Sequence, residues 1–164
     1  MNLKEIQIRK IEPDDNPFLA IIIRNALKEF NAAKPGTVYY DDTTDYLFEV
    51  FDSEPLSYYS VAVLNGEILG GAGIYPTKNL PAKTCELVKM YLSPKARGIG
   101  LGRELIQKSI EKAKELGFHQ MYLESMPELT KAISVYKEFG FKFIASSLGN
   151  SGHTGCDVFM ILPI

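Results

Sequence analysis

An α+β fold, with a mixed and mostly antiparallel sheet of about seven strands flanked by about four helices, is predicted by three features of the sequence. Asn65-Gly66 separates two β-prone runs, 58–64 and 67–75, as a two-residue hairpin turn does. Two segments, 101–116 and 129–139, carry apolar residues at helical spacing. Each is followed at once by a glycine and then by another strand-like run. A hairpin meander that runs into βα units requires both parallel and antiparallel neighbours in one sheet.

The elements follow in order. Residues 5–11 alternate around Ile6 and Ile8 as a first strand. Asn16-Pro17 supplies an N-cap and a first-turn proline, and a helix runs from there to Phe30. Leu19, Ile22, Ile23, Ala26, Leu27 and Phe30 form its apolar face. A loop over 33–43 contains Pro35-Gly36 and the pair Tyr39-Tyr40, after which Thr44 caps a short helix reaching Phe51. The hairpin comes next. Residues 84–92 are a fourth strand, stopped by Ser93-Pro94. The helix over 101–116 aligns Leu101, Leu105, Ile106, Ile110, Ala113 and Leu116, with charged residues outside that stripe. Residues 119–124 are a fifth strand. In the last helix Leu129, Ala132, Ile133, Tyr136 and Phe139 share a face. Residues 141–146 and 157–161 complete the sheet around a Gly/Ser/Asn loop. With no internal repeat, low-complexity tract or Ser/Pro linker, one domain is expected over 1–164.

The 164 residues include 18 basic and 20 acidic side chains, a formal charge of −2, and 46% of them are hydrophobic. This composition describes an ordinary globular domain and provides no electrostatic footprint for nucleic acid or an anionic membrane. No apolar run approaches the roughly 20 residues of a membrane span, and the first ten residues lack the apolar stretch of a signal peptide. The expected location is cytoplasmic. Cys85 and Cys156 stand far apart without metal-ligand spacing, so neither a disulfide framework nor a metal site is expected.

The glycines are unevenly placed. SPKARGIGLGR, from Ser93 to Arg103, joins the fourth strand to the strongest helix and has three glycines in five residues. Such a turn lets a ligand approach the backbone, and the helix start points free N–H groups at an anion, so phosphate is the natural occupant. Lys95, Arg97 and Arg103 stand beside it. A tight strand-to-helix turn is the simpler alternative. A Walker loop is excluded because Gly102 is followed by Arg103-Glu104, and the dinucleotide fingerprint because no third glycine falls at the required spacing.

Arg97-x-x-Gly100-x-Gly102 resembles the Arg/Gln-x-x-Gly-x-Gly/Ala pyrophosphate loop of the GNAT superfamily of acetyl-CoA-dependent N-acetyltransferases. The segment from Ala132 through Tyr136 to Gly140-Phe141 is similar to that family's Ala-x-x-x-Tyr-x-x-x-Gly-Phe. Together the two motifs extend the likeness over 85–141. The resemblance implies acetyl-CoA as co-substrate, its pantetheine arm along Met90, Tyr91 and Leu92, and its pyrophosphate over Gly98, Ile99, Gly100, Leu101, Gly102 and Arg103, with Arg97 beside them. It also implies that Tyr136 donates a proton to the departing sulfur and that Glu86 or Glu124 serves as base. Otherwise Tyr136 reads as one more residue of an apolar stripe, and either glutamate as an ordinary solvated or paired carboxylate. Leu129 departs from the family pattern, in which asparagine commonly precedes the tyrosine by seven residues. Thr130 is the nearest polar substitute.

The acceptor side is less marked. Tyr39, Tyr40, Asp41, Asp42, Asp45 and His153 are candidate lining residues, and their carboxylates would favour a cationic amine. A small-molecule amine and a protein amine both remain open, as does a solvated acidic loop. Tyr58-Tyr59, if exposed, is an aromatic stretch that serves a homodimer as readily as a core. The expected function is direct transfer of acetyl from acetyl-CoA to an amine. A catalytically silent acyl-CoA sensor on the same fold is the alternative, and a plain interaction module would bind no CoA.

Overall fold

A computed structural model describes residues 2–164. Its seven strands are β1 (Gln7–Lys10), β2 (Tyr58–Leu64), β3 (Glu67–Tyr75), β4 (Thr84–Leu92), β5 (Gln120–Ser125), β6 (Lys142–Ile144) and β7 (Val158–Pro163). The α-helices are α1 (Asn16–Glu29), α2 (Leu47–Asp52), α3 (Leu101–Glu115) and α4 (Thr130–Glu138). One sheet holds the strands in the order β1-β2-β3-β4-β5-β7-β6. Every neighbouring pair is antiparallel except β4 and β5. The fold class and element order agree with expectation, and short 3-10 turns subdivide the connections.

The sheet separates two cores. Leu101, Leu105, Ile106 and Ile110 of α3 pack with Leu69, Leu87, Met121 and Met160 on one face. Leu19, Ile23 and Leu27 of α1 pack with Leu47, Phe51, Tyr59 and Val61 on the other. The alternation of side chains along each strand sorts residues between these faces.

Two irregularities place the site. First, β4 and β5 pair over only three positions, from Thr84↔Gln120 to Glu86↔Tyr122, and then part. Second, β4 bulges. Its pairing with β3 shifts between Val88↔Gly73 and Tyr91↔Gly71, and Lys89 adopts φ +48. The extra residue reverses the alternation. Cys85 and Leu87 face α3, and after the bulge Met90 and Leu92 face it too, whereas Val88 and Tyr91 face α1.

Tyr58-Tyr59 is not an exposed pair. The Tyr59 ring is fully buried, Tyr58 packs against the α3 core, and the Lys112 ammonium lies 4.8 Å from the Tyr58 ring centre. Among the described residues, the large apolar side chains most exposed to solvent are Phe18, Ile21, Tyr40, Tyr46, Leu56 and Phe143. Among the described residues, no helix is long and apolar enough to cross a membrane.

Candidate active site

The parting of β4 and β5 opens a cleft of about 460 Å³. Met90, Tyr91 and Leu92 line it from β4, Glu124 and Ser125 from β5, and Ala132, Val135 and Tyr136 from α4. Arg97, Gly98, Gly100, Gly102 and Arg103 line the end at α3. Leu101 turns instead into the core, fully buried, and Ile99 packs at its edge.

Gly100 caps α3 at φ +93, a left-handed conformation that an L side chain adopts only with strain. The first backbone bond back into the helix runs from the Glu104 N–H to the Gly100 carbonyl (3.1 Å). The N–H groups ahead of it lack helical partners, and a negative group suits them. A methyl at Gly102 would meet only side-chain carbon at 3.4 Å or beyond, so this chain's own packing does not demand glycine there. The residues therefore fit a pyrophosphate cradled against the backbone. In the cleft wall, Glu128 Oε2 is buried without a hydrogen-bond partner, while its other oxygen pairs with Lys34. An N–H donor of a bound arm would satisfy it. Glu128 was invisible to motif reading, which looked to Leu129 and Thr130; both of these line the cleft as well.

The three basic side chains at the glycine turn are not free. Arg97 makes a two-pronged contact with Glu29 (2.8 and 2.9 Å), donates to the Leu92 carbonyl (3.0 Å) and covers the Phe30 ring. Lys95 pairs with Glu67 and Arg103 with Glu138. These are exposed or half-exposed pairs of the kind that contribute little and exchange readily.

On the α1 side of β4 lies a second cavity, of about 470 Å³. Glu86, Val88, Lys89 and His153 line both cavities, so the two meet there. Glu86 is 3% exposed and accepts a hydrogen bond from the Thr77 hydroxyl. Burial pushes its carboxyl up to about 7, the Thr77 bond and the nearby Lys89 and His153 opposing. Glu124 is held differently. Tyr122 donates to one of its oxygens (2.9 Å) and Ser151 to the other (2.7 Å). Tyr136 is 7% exposed, with its hydroxyl 3.9 Å from the Met90 sulfur and its ring edge-on to Phe141. Burial pushes its phenol up to about 12. It belongs to the apolar stripe and also reaches the cleft.

Asp41 joins two elements. It accepts from Lys89 Nζ (2.7 Å) and lies 3.1 Å from His153 Nε2. Burial would raise its carboxyl, but His153 and Lys89 hold it well below the usual carboxylate range. Lys89 is buried, and that burial lowers its ammonium from the usual value although Asp41 opposes. The bulge at Lys89 has no mark in the sequence, and the burial and pairing of this lysine follow only from its tertiary contacts.

Of the acceptor-side candidates, Tyr40, Asp41 and His153 line the second cavity. Tyr39, Asp42 and Asp45 do not. Tyr39 stacks edge-on with Tyr40 and lies under Lys28, and Asp45 pairs with Arg24 (2.6 Å). Among the described residues no group of three or more His, Cys, Asp or Glu is arranged to hold a metal ion.

A cleft where two parallel strands part, with a glycine-rich helix start at one end and a second cavity at the other, suits an enzyme that moves a group from a phosphate-bearing carrier to an acceptor. The acetyltransferase (GNAT) family profile matches residues 23–141, and the chain belongs to that family. An N-acetyltransferase of Escherichia coli K12 named YjgM, itself uncharacterised, is 38% identical over 155 residues, 94% of this chain and 92% of its own. Among solved structures, a GNAT acetyltransferase of Staphylococcus aureus Mu50 superposes with a TM-score of 0.81 at 19% identity, covering 96% of this chain and 98% of its own. YncA of Salmonella typhimurium, a putative acetyltransferase solved with acetyl-CoA, gives 0.74 at 23% identity over 96% and 93%.

Proposed function

We propose that the chain transfers acetyl from acetyl-CoA directly to an amine within a ternary complex, with Glu86 taking the amine's proton and Tyr136 protonating the departing sulfur. The observation that carries this reading is the meeting of the two cavities at Glu86. Acetyl-CoA supplies an activated acyl carbon. Gly98 to Arg103 would hold its pyrophosphate, Met90 to Leu92 and Glu128 its arm. An amine in the second cavity would meet Glu86, whose carboxyl, with a value of about 7, is suited to accept a proton near neutrality. Glu124 is the second choice, because both of its oxygens already accept hydrogen bonds. Tyr136 is a neutral phenol at working pH and can donate.

Direct transfer also agrees with the thiols. A covalent acyl-enzyme route needs a nucleophilic thiolate, but burial pushes both Cys156, which lines the cofactor cleft, and Cys85 up to about 12. Initial rates with both substrates varied should give intersecting double-reciprocal lines. Parallel lines and an acetylated enzyme isolated without acceptor would overturn the ternary complex. Tyr136→Phe should lower kcat by roughly 10²–10³-fold with CoA affinity unchanged. Tight CoA binding without acetylation of any amine would leave the sensor reading in its place.

A further inference from the structure

The second cavity is balanced in charge and not acidic as its loop suggested, with two carboxylates and two lysines in its lining. Its two carboxylates are Asp41 and Glu86. Asp41 has both oxygens engaged, Oδ2 by Lys89 and His153 and Oδ1 by the Thr43 N–H and hydroxyl, which leaves neither free for a substrate cation. Glu86 lies at the inner end, where the cavities meet. Of the cations, Lys89 is buried against Asp41 and Thr44, whereas Lys78 is exposed and makes no ion pair among the described residues. There is thus one proton acceptor inside, one unpaired cation outside, and no second carboxylate for a second ammonium.

The walls limit size. Val50, Phe51 and Tyr75 give the cavity an apolar side. The loop over 145–157 is fastened across it at two seams. The Asn150 N–H donates to the Lys78 carbonyl (2.7 Å), and the Gly155 N–H donates to the Gly36 carbonyl (2.8 Å). The contact at Gly155 is tight, since an added Cβ would meet the Pro35 carbonyl at 2.7 Å. A volume of about 470 Å³ under such a strap suits a small molecule.

From this arrangement we infer that the acceptor is a small primary amine with an apolar body and an anionic group, the amine directed to Glu86 and the anion to Lys78. The inference rests on the acetyltransferase reading and narrows it to a substrate class. A polyamine is disfavoured, because its second ammonium would meet Lys78 rather than a carboxylate.

Matched acceptors test it by thiol release from acetyl-CoA: phenylalanine against its amide and phenethylamine, O-phosphoethanolamine against ethanolamine, with putrescine as the dication. The anionic member of a pair should be preferred by about tenfold or more in kcat/KM. The first pair reports a carboxylate and the second a phosphate. Lys78→Ala should reduce that preference to about twofold and Lys78→Glu should reverse it, both leaving CoA affinity unchanged. Equal or better use of neutral amines or putrescine, or a preference indifferent to Lys78, would overturn the inference while sparing the acetyltransferase reading. If no amine is turned over, calorimetry of the same pairs with the CoA-loaded protein reads the preference directly. CoA binding with no acceptor binding overturns the inference, and no CoA binding removes the reading on which it rests.

Discussion

Glu86 combines burial with the lack of a neutralising partner, and its titration should be visible in both rate and stability. In the proposed role of base it must be ionised, so kcat/KM should rise with pH and level off above about 7. In Glu86→Gln this acid limb should vanish, together with most of the activity. The stability effect has the opposite slope. The folded-state value lies above 4.5, so the native protein holds a proton that the unfolded chain has lost, and stability falls as pH rises from 4.5 through about 7. Relative to Glu86→Gln, the wild type should lose about 3 kcal/mol across that window and nothing further above it. Urea unfolding of both proteins at pH 5 and pH 8 measures the difference. An unchanged difference between the two pH values would contradict a buried, proton-holding Glu86.

At the scale of elements, the β4 bulge and the start of α3 shape the cleft proposed for the cofactor. A lysine at φ +48 is strained, and two contacts hold it: its carbonyl accepts from Tyr59 Oη (2.8 Å) and its ammonium is fixed by Asp41. The Tyr59 ring fits because β3 is bare beneath it. A Cβ at Gly71 would fall 2.5 Å from the Tyr59 ring, and one at Gly73 would fall 2.7 Å from it. Tyr59→Phe should therefore cost about 1–3 kcal/mol in denaturant unfolding by leaving the Lys89 carbonyl unpaired. At α3, Gly100→Ala should cost about 1 kcal/mol through its positive φ, which makes position 100 a poor probe of binding. Position 102 separates the effects. Gly102→Glu should weaken CoA binding by a hundredfold or more in calorimetry while leaving Tm within about a degree or two, since the site is solvent-facing cleft and not core.

For the molecule as a whole, the second cavity, proposed for the acceptor, is assembled from segments far apart in the chain: the loop over 33–46, α2, the end of β3 and the loop after it, β4, and the loop over 145–157. The Gly36–Gly155 seam and the His153–Asp41 contact join the first of these to the last. Gly155→Val should part the seam, because its side chain would collide with the Pro35 carbonyl and Thr37. Acceptor kcat/KM should then fall by about tenfold or more with CoA affinity preserved, because the α3 cradle lies outside the strap. Equal losses on both substrates would show instead that the two cavities fold as one cooperative unit.

The amino-acid sequence by itself determined the order of elements, the Asn65-Gly66 hairpin, the α3 stripe and the glycine turn that ends at it. These are local: periodicity, turn chemistry and capping act within a few residues. It also marked Glu86, Glu124, Tyr136, Tyr40 and His153, though not what surrounds them. Only the tertiary structure decided that Arg97 is tied to Glu29, that Asp41 is paired with Lys89 and lies in hydrogen-bond contact with His153, and that Tyr59 is interior. It alone showed Lys78 as an exposed lysine of the second cavity that makes no ion pair among the described residues. The physical reason is the same in each case. Ion pairing, burial and a one-residue bulge depend on partners in other elements of the chain, and a bulge reverses the very alternation from which a strand's faces are read.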